Sequence, residues 1–179
     1  MNTNTATTPK QWSLRPSDIV VACQLTQTPS PPYTVLAAAT LLSVGECHAA
    51  IRRLVAARLM NPSQRRVVPE LLSRFLVVGV PHAFPALIGP SAVGVATAFS
   101  AAAFRASVAP PEAYVWPDGN GHAEGLALTP LFAAAVRLPL RNVALYEVLA
   151  LIDALRVGDT RERQLAEAFL RERLQRRED

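Results

Sequence analysis

Three histidines, two cysteines and eighteen lysine or arginine side chains are the groups through which this 179-residue chain could react or hold a charged partner. Their spacing argues against most chemistry. His48, His82 and His122 lie far apart, and no H-x-x-x-H pair or second pair of cysteines accompanies them, so no metal site is expected. Gly89 and Gly94 have the spacing of a phosphate-cradling loop, but the Gly-Lys-Ser/Thr ending that grips a nucleotide is missing. There is no G-x-S-x-G turn, no clustered acidic pair and no cysteine with a plausible catalytic base. The sequence therefore predicts no enzyme, no cofactor and no metal. Cys23 and Cys47 sit within apolar stretches and read as small core residues in a reducing compartment.

What remains is the placement of cations. The formal net charge is +4. Residues 1–80 carry eight basic groups (Lys10, Arg15, Arg52, Arg53, Arg58, Arg65, Arg66 and Arg74) against three acidic ones (Asp18, Glu46 and Glu70). Residues 141–179 hold eight arginines and eight carboxylates, which cancel. The positive excess belongs to the first half, so a polyanion would bind there.

Within that half, Ser43 and Glu46 form an S-x-x-E capping box, which opens a helix one or two residues after the preceding helix stops. In the new helix Cys47, Ile51 and Leu54 share one face, while Glu46, His48, Ala49, Arg52 and Arg53 occupy the others. Over residues 15–68, including the ending Arg53-Leu54-Val55-Ala56-Ala57-Arg58-Leu59-Met60, the pattern resembles the helix-turn-helix of winged-helix regulators of the MarR-like kind. The resemblance implies that this third helix enters the major groove of double-stranded DNA. It further implies that Ser43, Val44, His48, Arg52 and Arg53 face the duplex. Gln64, Arg65 and Arg66, in the short basic turn after Met60, would form a reduced wing. The chain departs from the family at Leu41, where a glycine commonly stands in the turn. Val44, Gly45 and Ala49 carry nothing that bonds a base edge, so the arginines are expected to hold phosphates, which supply affinity rather than sequence information. The implied function is a DNA-binding, repressor-type transcriptional regulator acting as a homodimer. The alternative is a protein-binding module on the same fold, such as the antitoxin of a bacterial toxin-antitoxin pair.

The elements that would position these residues follow from composition and period. Half of the residues are apolar, yet only six Phe, three Tyr and two Trp are present, so the core must be built from Ala, Leu and Val, as in packed helices. Residues 1–14 are polar and read as a flexible tail. The helix-turn-helix unit spans 15–80: a helix after Pro16, a break at Thr28–Pro32, a second helix from Tyr33 to Leu41, the capped third helix, and a further helix from Glu70 to Val78 opened by Pro69. A small β and loop region is expected over 81–140. There His82–Phe84 and Gly94–Phe99 read as strands, and Tyr114–Pro117 with Glu124–Leu128 reads as a hairpin about the turn Asp118–His122. Residues 141–179 predict an antiparallel helix pair: Asn142 caps the first, Gly158 ends it, and Asp159 with Glu162 caps the second. The outer face of the second helix pairs charges at four-residue spacing as far as Arg176. The first of the pair is apolar around more than half its circumference, which fits either a dimer interface or a place beneath the sheet. The predicted class is α+β, mostly α. Residues 83–104 are uncharged over a length that could cross a bilayer, but Pro85, Gly89, Pro90 and Gly94 break them, and the N-terminus lacks the pattern of a signal peptide. No membrane partner and a cytoplasmic location are expected.

Overall fold

The computed structural model describes residues 12–104 and 112–175. The expected tail, up to residue 11, and the pairing of Arg176 lie outside them. Pro16–Gln27 forms α1, whose residues Asp18–Leu25 are all buried. A helix with no polar stripe must be enclosed by neighbours, and α1 packs against the two helices that follow it and against the two long C-terminal helices described below. Tyr33–Thr40 forms α2, which stops where Leu41 turns left-handed at φ 58°. Only Leu42 and Ser43 then precede α3, Val44–Ala56, and the axes of α2 and α3 meet at 97°.

A two-residue ribbon follows: β1, Met60–Asn61, pairs antiparallel with β2, Arg66–Val67, in the register Met60 to Val67. α4, Pro69–Arg74, runs through a π-helical turn at Phe75–Gly79 into α5, Val80–Ala83. His82 and Ala83 therefore end a helical rod, correcting the strand expected at His82–Phe84. Pro81 follows the π-helical turn, where the regular ladder is already altered and the Val80 amide reaches back to the Phe75 carbonyl.

The 81–140 region holds three strands: β3, Ile88–Thr97; β4, Tyr114–Pro117; and β5, Ala123–Leu128. Here a second expectation is corrected, because β4 and β5 do not form an antiparallel hairpin. Each pairs antiparallel with β3, and their short mutual contact is parallel, closing a ring of three strands. Gly94 opposes both Pro117 and Ala123, so the chain crosses β3 at that point. A Cβ on Gly94 would overlap the carbonyl of Trp116, and one on Gly121 would overlap the backbone of Gly94.

After α6, Leu138–Arg141, come α7, Val143–Val157, and α8, Thr160–Gln175. Asn142 accepts from the Leu145 amide, and Asp159 with Glu162 forms a reciprocal cap on α8. α7 is the central helix. Leu145 and Val148–Arg156 are buried against α8, α1, β3 and the turn at Ala98–Ser100. Its excess apolar surface is thus covered within the chain. One contiguous core runs from Ile19 to Leu174, and the class is α+β and mostly helical. Among the described residues no single helix is long and apolar enough to cross a membrane.

A candidate nucleic-acid interface on α3 and the ribbon

α3 presents one row to solvent. Val44, His48 and Arg52 follow one another at four-residue spacing, and all three are exposed. Ser43 and Glu46, beside the start of that row, are occupied with each other. The Ser43 hydroxyl accepts from the Glu46 amide at 3.2 Å and donates to Glu46 Oε2 at 2.6 Å, and the Ser43 amide donates to the same oxygen at 2.8 Å. These bonds hold the Glu46 carboxyl below its ordinary pKa, so a negative charge stays at this corner. The Arg52 guanidinium lies 4.7 Å from the ring centre of Trp12.

Arg53 is placed differently. Its Nε and Nη2 donate to the two oxygens of Asp18 at 2.7 and 2.6 Å, a bidentate ion pair between α3 and α1. The Asp18 side chain is fully buried and that of Arg53 is 11% exposed. The carboxylate raises the pKa of the guanidinium further above its usual value. Arg53 is thus engaged within the fold, and releasing it toward a phosphate would strand a buried charge.

Arg65 is likewise engaged within the fold. The turn between β1 and β2 is fastened to the α1–α2 connection: the Ser30 hydroxyl donates to the carbonyls of Gln64 and Arg65 at 2.9 and 3.2 Å, and Arg65 Nη2 donates to the Pro31 carbonyl at 3.2 Å. The Arg65 guanidinium sits 4.4 Å from the ring centre of Tyr33, and His48 stacks on Tyr33 at 3.5 Å with 14° between planes. Arg65 and Ser30 both adopt positive φ to make this clasp. Arg65 is thus a structural cation that ties the ribbon to α2 and, through Tyr33, to α3. Gln64 is exposed with its carbonyl in the clasp, and Arg66 projects from β2 without a hydrogen bond or ion pair among the described residues. Arg66 also borders a cleft of about 330 Å³ between the end of α1, the ribbon and the end of α8.

The fold therefore brings together Ser43, Val44, His48 and Arg52 on one helix face, sets Gln64 and Arg66 on the adjoining ribbon, and withdraws Arg53 and Arg65. The sequence reading missed Asp18, Ser30 and Tyr33. Asp18 heads the apolar run Ile19–Cys23, and an acid carried into a buried helix signals the need for a partner. Elsewhere, no three His, Cys, Asp or Glu side chains gather into a group that could hold a metal ion among the described residues. Comparison of the chain with protein-family models, with curated proteins and with solved structures gave no match.

Proposed function

We propose that residues 16–67 are a winged helix-turn-helix and that the chain is a DNA-binding regulator which lays α3 in the major groove of duplex DNA, as a homodimer on a two-fold site. The observation that carries this reading is the exposed row Val44, His48, Arg52 on a helix set at 97° to its predecessor, with a clasped ribbon bearing Arg66 beside it. Phosphate contacts fall to Arg52 and Arg66. Pairing of two copies needs a surface other than α7, which is enclosed.

The test is fluorescence anisotropy on duplex DNA over a range of salt. Arg52→Ala and Arg66→Ala should each flatten the slope of log affinity against log salt by about 0.9, and Arg171→Ala, whose partner is Glu167 on the same helix, should leave it unchanged. Failure of the wild type to bind duplex in low salt at micromolar concentration removes the reading. The withdrawal of Arg53 and Arg65 favours the second reading in that event, a protein-binding module that uses the same face, as an antitoxin would.

A further inference from the structure

We propose that His48 is the base-reading residue of α3, donating an imidazole N–H to N7 of a purine in the major groove, and that Tyr33 is the residue that positions it. The inference rests on the reading that α3 meets duplex DNA.

It follows by elimination and then by geometry. On the outward face of α3, Ser43 and Glu46 spend their hydrogen-bonding groups on each other. Val44, Gly45 and Ala49 have none to offer a base edge. Arg52 packs over Trp12. His48 is exposed, and among the described residues its ring nitrogens have no hydrogen-bond partner. An exposed histidine ordinarily samples several rotamers, and ordering it on binding carries an entropic cost. Here the ring lies nearly parallel to Tyr33 at 3.5 Å. Tyr33 is in turn held by the Arg65 guanidinium at 4.4 Å, and Arg65 is tied to the Pro31 carbonyl. The stack fixes the plane of the imidazole while the residue stays exposed to solvent. A single ring N–H matches a single acceptor, and N7 is the acceptor that guanine and adenine share in the major groove while pyrimidines lack it. The expected specificity is therefore a purine at one position in each half-site, against cytosine, which presents a donor there, and against thymine, whose acceptor O4 lies elsewhere on the base edge.

The experiment selects binding sites from a random duplex library with the full chain, then measures affinity for the selected site. Wild type should enrich a purine at one position per half-site, and replacing that purine by its 7-deaza analogue should weaken binding about fivefold, the scale of one hydrogen bond. His48→Ala should lose the preference at that position, bind natural and 7-deaza sites equally, and keep the wild-type salt slope. Tyr33→Phe, which preserves the stacking ring, should behave as wild type. Tyr33→Leu should lose the preference although His48 is present, with a circular dichroism spectrum and urea midpoint that show it folded. Wild type that binds duplex but tells natural from 7-deaza purine no better than His48→Ala does overturns this inference and leaves the regulator reading standing. Wild type that binds no duplex at all overturns both.

Discussion

Arg52 and Arg53 are adjacent residues of one type, and the fold gives them opposite roles. Arg53 closes on Asp18 with both ends of its fork in a place where the carboxylate meets no water. Truncating it leaves a buried anion unpaired, so Arg53→Ala should lower stability by about 3 kcal/mol, whereas Arg52→Ala should change it by less than about 0.5 kcal/mol. Urea unfolding of both variants decides this, and equal midpoints would remove the ion pair from the account of the fold. Joint replacement, Asp18→Leu with Arg53→Met, should recover most of the loss. Period alone could not separate the two arginines, because Arg53 borders Ala50 and Leu54 on the packed face and the acid that claims it lies 35 residues earlier on another helix. The cysteines were legible, since apolar neighbours at helical spacing on both sides place a small side chain inside. Both are buried, and burial pushes the Cys23 thiol up to about 12. Almost no thiolate then exists at neutral pH, and an aromatic disulfide reagent should leave both cysteines unmodified until denaturant is added. Rapid labelling in native buffer would contradict their placement.

Among elements, the long helices were readable, whereas the short helices α5 and α6 and the strand pairings were not. Caps at Ser43, Asn142 and Asp159 are local chemistry, written within four residues of the helix they start. Strand partners are nonlocal. Asp118–Gly121 does mark a turn, but the hairpin rule assumes that the chain reverses there, and here β4 and β5 run in the same direction, each antiparallel to β3. Strands of four and six residues are too short for alternation to reveal the intervening partner. The glycines that allow the crossing provide a test. Gly94→Ala puts a methyl into the carbonyl of Trp116, and it should cost about 2–3 kcal/mol by overpacking. Gly119→Ala, with no atom within 4 Å of its new Cβ, should be nearly neutral. If thermal melts show the two to be equal, the three-strand ring is wrong. In the N-terminal half glycine is absent where it was looked for: Leu41 takes the left-handed position at φ 58°, and its partly buried side chain packs on the core, which offsets the strain.

Across the whole molecule, one buried polar cluster joins pieces that the sequence keeps far apart. Asp153 on α7 accepts from Thr97 of β3 at 2.8 Å, from the Trp116 indole of β4 at 2.6 Å and from Arg156 at 2.6 Å. Arg156 also donates to the carbonyls of Phe84, Pro85 and Thr129. Helix, strands and two loops are thus held at one charge pair, and α7 carries that order to α1, where the Asn142 amide donates to Gln24. None of this was legible in the sequence, because i, i+3 charges on a helix ordinarily face solvent, and only the enclosure of α7 turns them inward. Burial pushes the Asp153 carboxyl above the ordinary carboxylate value, while Arg156, Thr97 and Trp116 pull it down. In Arg156→Leu the strongest of those opposing groups is gone and three carbonyls lose their donor, so stability should fall by roughly 3–5 kcal/mol, a large share of the roughly 5–15 kcal/mol typical of a domain. The pH dependence has a definite sign. A carboxyl whose folded pKa lies above its unfolded one stabilises below the unfolded value and loses that contribution as pH rises toward the folded one. Without Arg156 the Asp153 carboxyl moves further up, so the deficit of the variant against wild type should be smaller at pH 5 than at pH 7. Urea midpoints at the two pH values, read by tryptophan fluorescence and by far-ultraviolet circular dichroism, should also coincide between probes, because the core is continuous from Ile19 to Leu174. A deficit independent of pH, or two transitions in wild type, would mean that the cluster does not join the halves in the way its geometry implies.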